Sequence, residues 1–120
     1  RFSAAELQAA QDECRALSAR MQAFHGDFDL LVTPTMPIPA FDAGQDTPDR
    51  ARFPEWFDWT PFTWPFNLSR QPAASVPCGF TAAGLPVGLQ VVGAAFREDL
   101  VLRASRVVER DLPQKTLAWG

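Results

Sequence analysis

The chain has 120 residues, 47% of them hydrophobic and 21% charged, with a formal net charge of −3. That length bounds it to one domain at most, and the composition is that of an ordinary globular protein. The acidic balance and scattered arginines exclude the phosphate-tracking stripe of a nucleic-acid binder, and no apolar run approaches the roughly 20 residues that cross a bilayer.

Residues 3–24 predict an amphipathic helix. Leu7, Ala10, Cys14, Leu17, Met21 and Phe24 recur at spacings of three and four, on one face. Ser3 and Glu6 form a Ser-x-x-Glu capping box ahead of it. His25-Gly26-Asp27 is expected to end the helix, with Gly26 free to take a positive φ. His25, the only histidine, reads as a helix-terminal residue that suits the dipole rather than as a base.

Residues 29–33 then read as a short buried strand closed by Pro34. From Pro34 to about Thr60 the prolines at 34, 37, 39, 48 and 54 preclude long regular elements. A loop this long inside a compact domain is often functional. Asp42, Asp46 and Asp49 within it match no calcium loop and read as solvated charges.

An aromatic cluster follows. Phe53, Trp56, Phe57, Trp59, Phe62, Trp64 and Phe66 are half of the chain's 10 phenylalanines and 4 tryptophans taken together. Such a cluster either walls an apolar acyl or amine site or packs against another part of a larger protein. Thr60 or Thr63 can cap a short helix running to about Ser69, with Pro61 or Pro65 in its first turn.

Residues 73–80 predict a strand whose internal Pro77 implies an edge, an irregularity or a bulge. Ala82-Ala83-Gly84 reads as a turn. Residues 86–93 form a second strand, nearly apolar on both faces and so suited to cover on both sides, and the two strands form a hairpin. Gln90 is the polar exception and requires hydrogen-bond partners if buried. Glu98 to about Asp111 closes the order as a helix stopped by Pro113. The fold class is α/β: a small mixed sheet of about three strands flanked by helices.

Two stretches go beyond generic pattern. Residues 62–79, with Asn67-Leu68 ahead of Pro72-Ala73-Ala74-Ser75-Val76-Pro77-Cys78-Gly79, are the first. Gly84-Leu85-Pro86-Val87-Gly88-Leu89-Gln90-Val91-Val92-Gly93 is the second. With Leu30-Leu31-Val32-Thr33-Pro34-Thr35 and a last helix starting near Asp99, they resemble the closing segment of the amidase signature family. That family holds free amidases and the A subunits of glutamyl-tRNA amidotransferases. The resemblance spans nearly the whole chain and is weakest over 42–59. Arg70 departs from it, standing where the family usually has glycine or a small residue.

The resemblance implies a C-terminal portion, residues 1–120, of the larger amidase signature α/β fold. It implies an enzyme that hydrolyses or transfers amides, with a nucleophilic serine activated through a second serine, in a cis peptide, by a lysine. Serine is a weak nucleophile without a base, and the developing oxyanion needs fixed N–H donors. No catalytic residue carries over. Ser3, Ser18, Ser69, Ser75 and Ser105 are never adjacent, no Gly-Ser loop exists, and the single lysine, Lys115, lies past the last helix.

By the same resemblance the loop after the first strand lies near the substrate channel. Thr35 and Met36 are then expected to line it, joined by Trp64 from the aromatic cluster; the alternative is a surface loop punctuated by proline. No cofactor and no metal are expected. Cys14 and Cys78 lack metal-ligand spacing, and Cys78 reads as a packed thiol.

The expected partners are the remainder of an amidase chain and, in the intact enzyme, a small amide. Self-association through an unpaired sheet edge is also expected; nucleic acid and membrane are not. No signal peptide is visible, the setting reads as cytoplasmic, and a start at Arg1 suggests a cut piece of a longer chain. The rival reading is a free-standing interaction module that binds a partner through the aromatic cluster.

Overall fold

The computed structural model describes residues 2–112; the expectations for Pro113 and Lys115 lie outside them. The elements follow one another as α1 (Ala4–Asp27), β1 (Leu30–Pro34), α2 (Trp64–Ser69), β2 (Ala73–Phe80), β3 (Pro86–Gly93) and α3 (Glu98–Asp111). The strands form one sheet in the order β1-β3-β2. Three strands flanked by helices give the expected α/β class, but both pairings are antiparallel where a mixed sheet was expected.

The capping box starts α1. The Ser3 N–H donates to Glu6 Oε2 at 2.7 Å, and the Glu6 N–H donates to Ser3 Oγ at 3.2 Å. The Ser3 N–H first, and then the Ser3 hydroxyl donating to Glu6 Oε2 at 2.8 Å, hold the Glu6 carboxyl below its ordinary range. The other end differs from expectation. Gly26 stays helical, the helix runs on to Asp27, and Phe28 caps it in an extended conformation. The Phe28 ring stacks on Phe24 with centroids 4.8 Å apart, and its N–H donates to the Phe24 carbonyl. The helix thus ends without a left-handed glycine.

No residue of α1 is buried. Cys14, Leu17, Met21 and Phe24 are half-covered and Leu7 is exposed, so the apolar stripe is only partly covered. The Ser18 hydroxyl reaches the Ser69 carbonyl and links α1 to α2.

β1 lies at one side of the sheet, paired from Leu30↔Gly93 to Pro34↔Leu89. It is half-buried rather than buried, and Val32 is exposed, because an outer strand has neighbours on one side only. β2 lies at the other side. Its pairing steps from Pro77↔Gly88 to Gly79↔Val87, so Cys78 is extra and forms a bulge. Proline cannot donate to a ladder, and a side strand with a bulge accommodates it.

β3 is the central strand. Gln90–Gly93 are buried, whereas Val87 at its other end is exposed, so cover on both faces reaches only its second half. The hairpin turns through Gly84 at φ 80, with the Thr81 N–H donating to the Leu85 carbonyl. α3 lies against this buried half: a Cβ added to Gly93 would meet Val101 Cγ2 at 2.8 Å. Val76, Val91, Val92 and Val101 form the core with Phe66.

α2 has Thr63 at its N-cap position and Pro65 in the first turn, but the Thr63 hydroxyl bonds back to the Thr60 carbonyl instead of capping. Arg70 ends it in the left-handed conformation at φ 59, ψ 39. That is the geometry glycine adopts most readily. Arg70 therefore leaves the turn intact, at the expense of backbone strain.

Candidate functional site

A cleft of about 750 Å³ opens beside the end of β1. The Thr35–Phe41 loop forms one side, Ser75 and Pro77 of β2 and Pro86, Val87 and Gly88 of β3 form the floor, and Trp59 closes it. No charged side chain lines it. Trp59 is held edge-to-face against Phe41, with centroids 5.0 Å apart.

The floor is built around Gly88. The Thr35 N–H donates to the Gly88 carbonyl at 2.9 Å, which extends the β1–β3 pairing by one residue. Thr35 Oγ1 and Ser75 Oγ then meet at 2.7 Å. A Cβ on Gly88 would sit 2.7 Å from Ser75 Oγ and 2.8 Å from Thr35 Oγ1. Glycine at 88 is what lets two flanking hydroxyls approach each other.

Of the residues singled out from sequence, Thr35 and Met36 line this cleft and Trp64 does not. Trp64 instead packs against Trp56, with centroids 5.5 Å apart. The aromatic cluster is split: Trp59 faces the cleft with Phe41, while Trp56, Phe57 and Trp64 form a separate group. Ser75, Gly88 and Phe41 were not foreseen, and Trp59 was foreseen only as a member of the aromatic cluster. The Leu85–Gly93 run, with glycine between Val87 and Leu89, was the available signal for a close approach at Gly88.

Gln90 is buried and its amide donates to the Thr33 hydroxyl at 2.9 Å and the Phe62 carbonyl at 2.7 Å. It ties the central strand to β1 and to the segment entering α2, the structural role expected of it. Thr33 directly precedes the Pro34-Thr35 corner at the end of β1.

The other chemistry-bearing side chains are occupied structurally. The Ser18 hydroxyl donates to the Cys14 carbonyl and the Ser105 hydroxyl to the Val101 carbonyl. The Ser69 hydroxyl donates to Gln71 Oε1 at 2.8 Å, with the Phe66 carbonyl at 3.4 Å. Ser3 belongs to the capping box with Glu6, whose lowered pKa makes it a weaker base. His25 Nδ1 lies 2.9 Å from the Phe28 carbonyl, at the helix end.

Asp49 accepts from the Ala51 N–H in a turn, and no metal-holding group of acids, histidines or cysteines is found among the described residues. Cys78 is half-buried with its thiol against the Val87 carbonyl. No helix among the described residues is long and apolar enough to cross a membrane.

Residues 1–102 match the family model described as Amidase. The glutamyl-tRNA(Gln) amidotransferase A subunit of Myxococcus xanthus is 46% identical over 83 residues, 69% of this chain and 16% of that protein. Its counterpart in Methanosarcina acetivorans is 46% identical over 73% of this chain and 18% of its own length.

Among solved structures, the glutamyl-tRNA(Gln) amidotransferase A subunit from Thermotoga maritima superposes with a TM-score of 0.77 at 35% identity, covering 91% of this chain and 23% of that one. A substrate-complexed 6-aminohexanoate cyclic dimer hydrolase gives 0.81 at 30% identity, over 95% of this chain and 26% of that one. The chain thus spans about one-sixth of the curated relatives' length, 16% for the Myxococcus protein, and 26% or less of these solved chains.

Proposed function

The chain belongs to the Amidase family, and from that premise we propose that it is the C-terminal portion of an amide C–N hydrolase of the Ser-cisSer-Lys type. In the intact enzyme it extends the sheet and supplies one wall of the substrate site. Thr35 and Met36 contribute to that wall from the cleft, and Trp64 contributes from the separate aromatic group it forms with Trp56. Alone, the chain is inactive. The observation that carries this reading is the uncharged cleft at the Pro34–Pro37 corner, in a chain whose described serines bond to carbonyls, to neutral side chains or, at Ser3, to the capping Glu6 carboxylate.

The test is a hybrid enzyme. This chain replaces the matching segment of an active family member, and amide turnover is measured. Turnover is expected to return, with Met36→Asp raising KM or abolishing activity because it places a charge in an apolar wall. A hybrid whose KM and kcat ignore changes at Thr35, Met36 and Trp64 would remove the wall role.

A second reading, the free-standing interaction module, has one observation in its favour. Trp56 and Phe57 are 54% and 46% exposed, as a protein-docking patch would be. The same exposure follows when a covering segment belongs to the rest of an amidase chain, which is the partner proposed here. Light scattering separates the two, since the open sheet edges of an isolated portion favour self-association.

A further inference from the structure

The open aromatic group at Trp56 and Phe57 is bracketed by acids, and those acids constrain what covers it. The inference rests on the reading that the rest of an amidase chain lies over these rings. We propose that the covering segment presents an arginine, whose guanidinium stacks on the Trp56 ring and pairs with the carboxylates of Glu55 and Asp58.

The rings define the surface. Trp56 is held edge-to-face by Phe57, with centroids 5.8 Å apart, and by Trp64, at 5.5 Å. Trp56 and Phe57 nonetheless stay about half exposed, as a docking face does. The acids belong to the same turn. The Glu55 N–H donates to Asp58 Oδ2 at 3.0 Å, and the Asp58 N–H donates to the Glu55 carbonyl at 3.1 Å. Glu55 and Asp58 are both exposed.

The charge is local and unanswered. Residues 42–58 hold five acids, Asp42, Asp46, Asp49, Glu55 and Asp58, against Arg50 and Arg52. That balance of −3 equals the net charge of the whole chain, so the surplus sits in this one segment. The ion pairs among the described residues lie in or beside α1 and α3, and none reaches Glu55 or Asp58. A segment laid over Trp56 and Phe57 takes water from these two carboxylates. Burying a carboxylate without a partner is costly, so the cover brings positive charge with it.

Arginine fits better than lysine. Its planar guanidinium stacks on a ring face while its N–H groups donate to carboxylates. Arg52 already makes such a ring contact in the same segment, its guanidinium carbon 5.1 Å from the Phe53 centroid.

In the experiment, hexaarginine stands in for the covering segment, and hexalysine supplies equal charge with poorer stacking. Each is titrated into the fluorotryptophan-labelled chain at physiological salt. Fluorine NMR follows the Trp56 resonance, assigned with Trp56→Phe, and calorimetry gives the affinity. Hexaarginine is expected to move Trp56 saturably and to bind more tightly than hexalysine. Trp56→Ala should weaken hexaarginine about 2- to 5-fold, the worth of one exposed cation–π contact. Glu55→Gln should weaken both peptides and reduce the salt dependence of binding. In the hybrid enzyme described above the patch is covered, and hexaarginine should leave Trp56 unmoved.

Equal affinity for the two peptides, with no effect of Trp56→Ala, would overturn the stacking. Unchanged affinity in both Glu55→Gln and Asp58→Asn would overturn the pairing. A hybrid that turns over amide yet still binds hexaarginine at Trp56 would overturn the amidase remainder as the cover. A hybrid without turnover counts against the substrate-wall reading alone, because the peptide comparison uses the isolated chain.

Discussion

Thr35 and Ser75, forty positions apart in sequence, place their hydroxyl oxygens 2.7 Å apart directly over Gly88. β1 delivers the first, β2 the second, and β3 between them supplies the glycine. The pair exists because of register: Ser75 pairs with Gln90 and Pro77 with Gly88, so the three residues meet at one point of the sheet.

Gly88→Ala tests that arrangement. The new methyl would lie 2.7–2.8 Å from both hydroxyl oxygens and 3.2 Å from Thr35 Cβ. Ser75 can rotate away, but Thr35 is tied by its backbone. The expected loss is about 1–2 kcal/mol of unfolding free energy in urea titration, the usual range for mild overpacking. Adding Ser75→Ala should recover part of it. A Gly88→Ala chain as stable as the parent would contradict the close approach.

Gln90→Leu should destabilise although it adds apolar surface to a valine-rich core. It removes the donor to the Phe62 carbonyl and one partner of the Thr33 hydroxyl, which keeps its own bond to the Pro34 carbonyl. Leaving such a carbonyl unpaired costs about 1–3 kcal/mol. Thermal unfolding reads the change, and a neutral or stabilising result would mean that water replaces the amide.

Arg70→Gly is expected to stabilise. Arg70 holds φ 59 with an exposed side chain, and its backbone N–H closes α2 onto the Asn67 carbonyl. Left-handed geometry costs an L-residue about 1–2 kcal/mol, part of which glycine returns as unfolded-state entropy. A net gain of up to about 1 kcal/mol should appear in denaturant titration. A loss would show that the Arg70 side chain does more than tolerate the turn.

The helix starts carry a pH dependence. Hydrogen bonds from Ser3 hold Glu6 low, and the Arg97 side chain does the same to Asp99. Both folded pKa values lie below the unfolded ones. Their contribution is therefore present above about pH 4 and lost as pH falls through the folded values. An NMR titration should place the Glu6 midpoint below that of a free glutamate, and Ser3→Ala should raise it. An unmoved midpoint would contradict the capping box.

The elements themselves were legible, for physical reasons. Period-3.6 apolar residues mark α1 and α3, and runs of Val and Leu between prolines and glycines mark the strands. The bulge at Cys78 followed from Pro77, whose missing N–H demands an irregular place. What sequence did not disclose depends on packing across the fold. Gly26 was expected to stop the helix, but the helix runs on to Asp27 and Phe28 caps it, stacked on Phe24. Val32 belongs to an apolar run yet is exposed, since only pairing order decides which strand is outermost. Trp64 and Trp59 are alike as residues, and only the path of the 34–60 loop brings Trp59 to Phe41 and leaves Trp64 with Trp56. The Thr35–Ser75–Gly88 floor was invisible because no local pattern records a register.

The central claim is that the chain carries a substrate wall without the reaction's nucleophile. The most direct measurement is mass spectrometry of the purified 120-residue chain after a serine-directed fluorophosphonate, run beside an amide-hydrolysis assay. The account predicts an unmodified mass and no turnover. Turnover with one labelled serine would contradict it, and the labelled position would identify a nucleophile that the described hydrogen bonds do not single out.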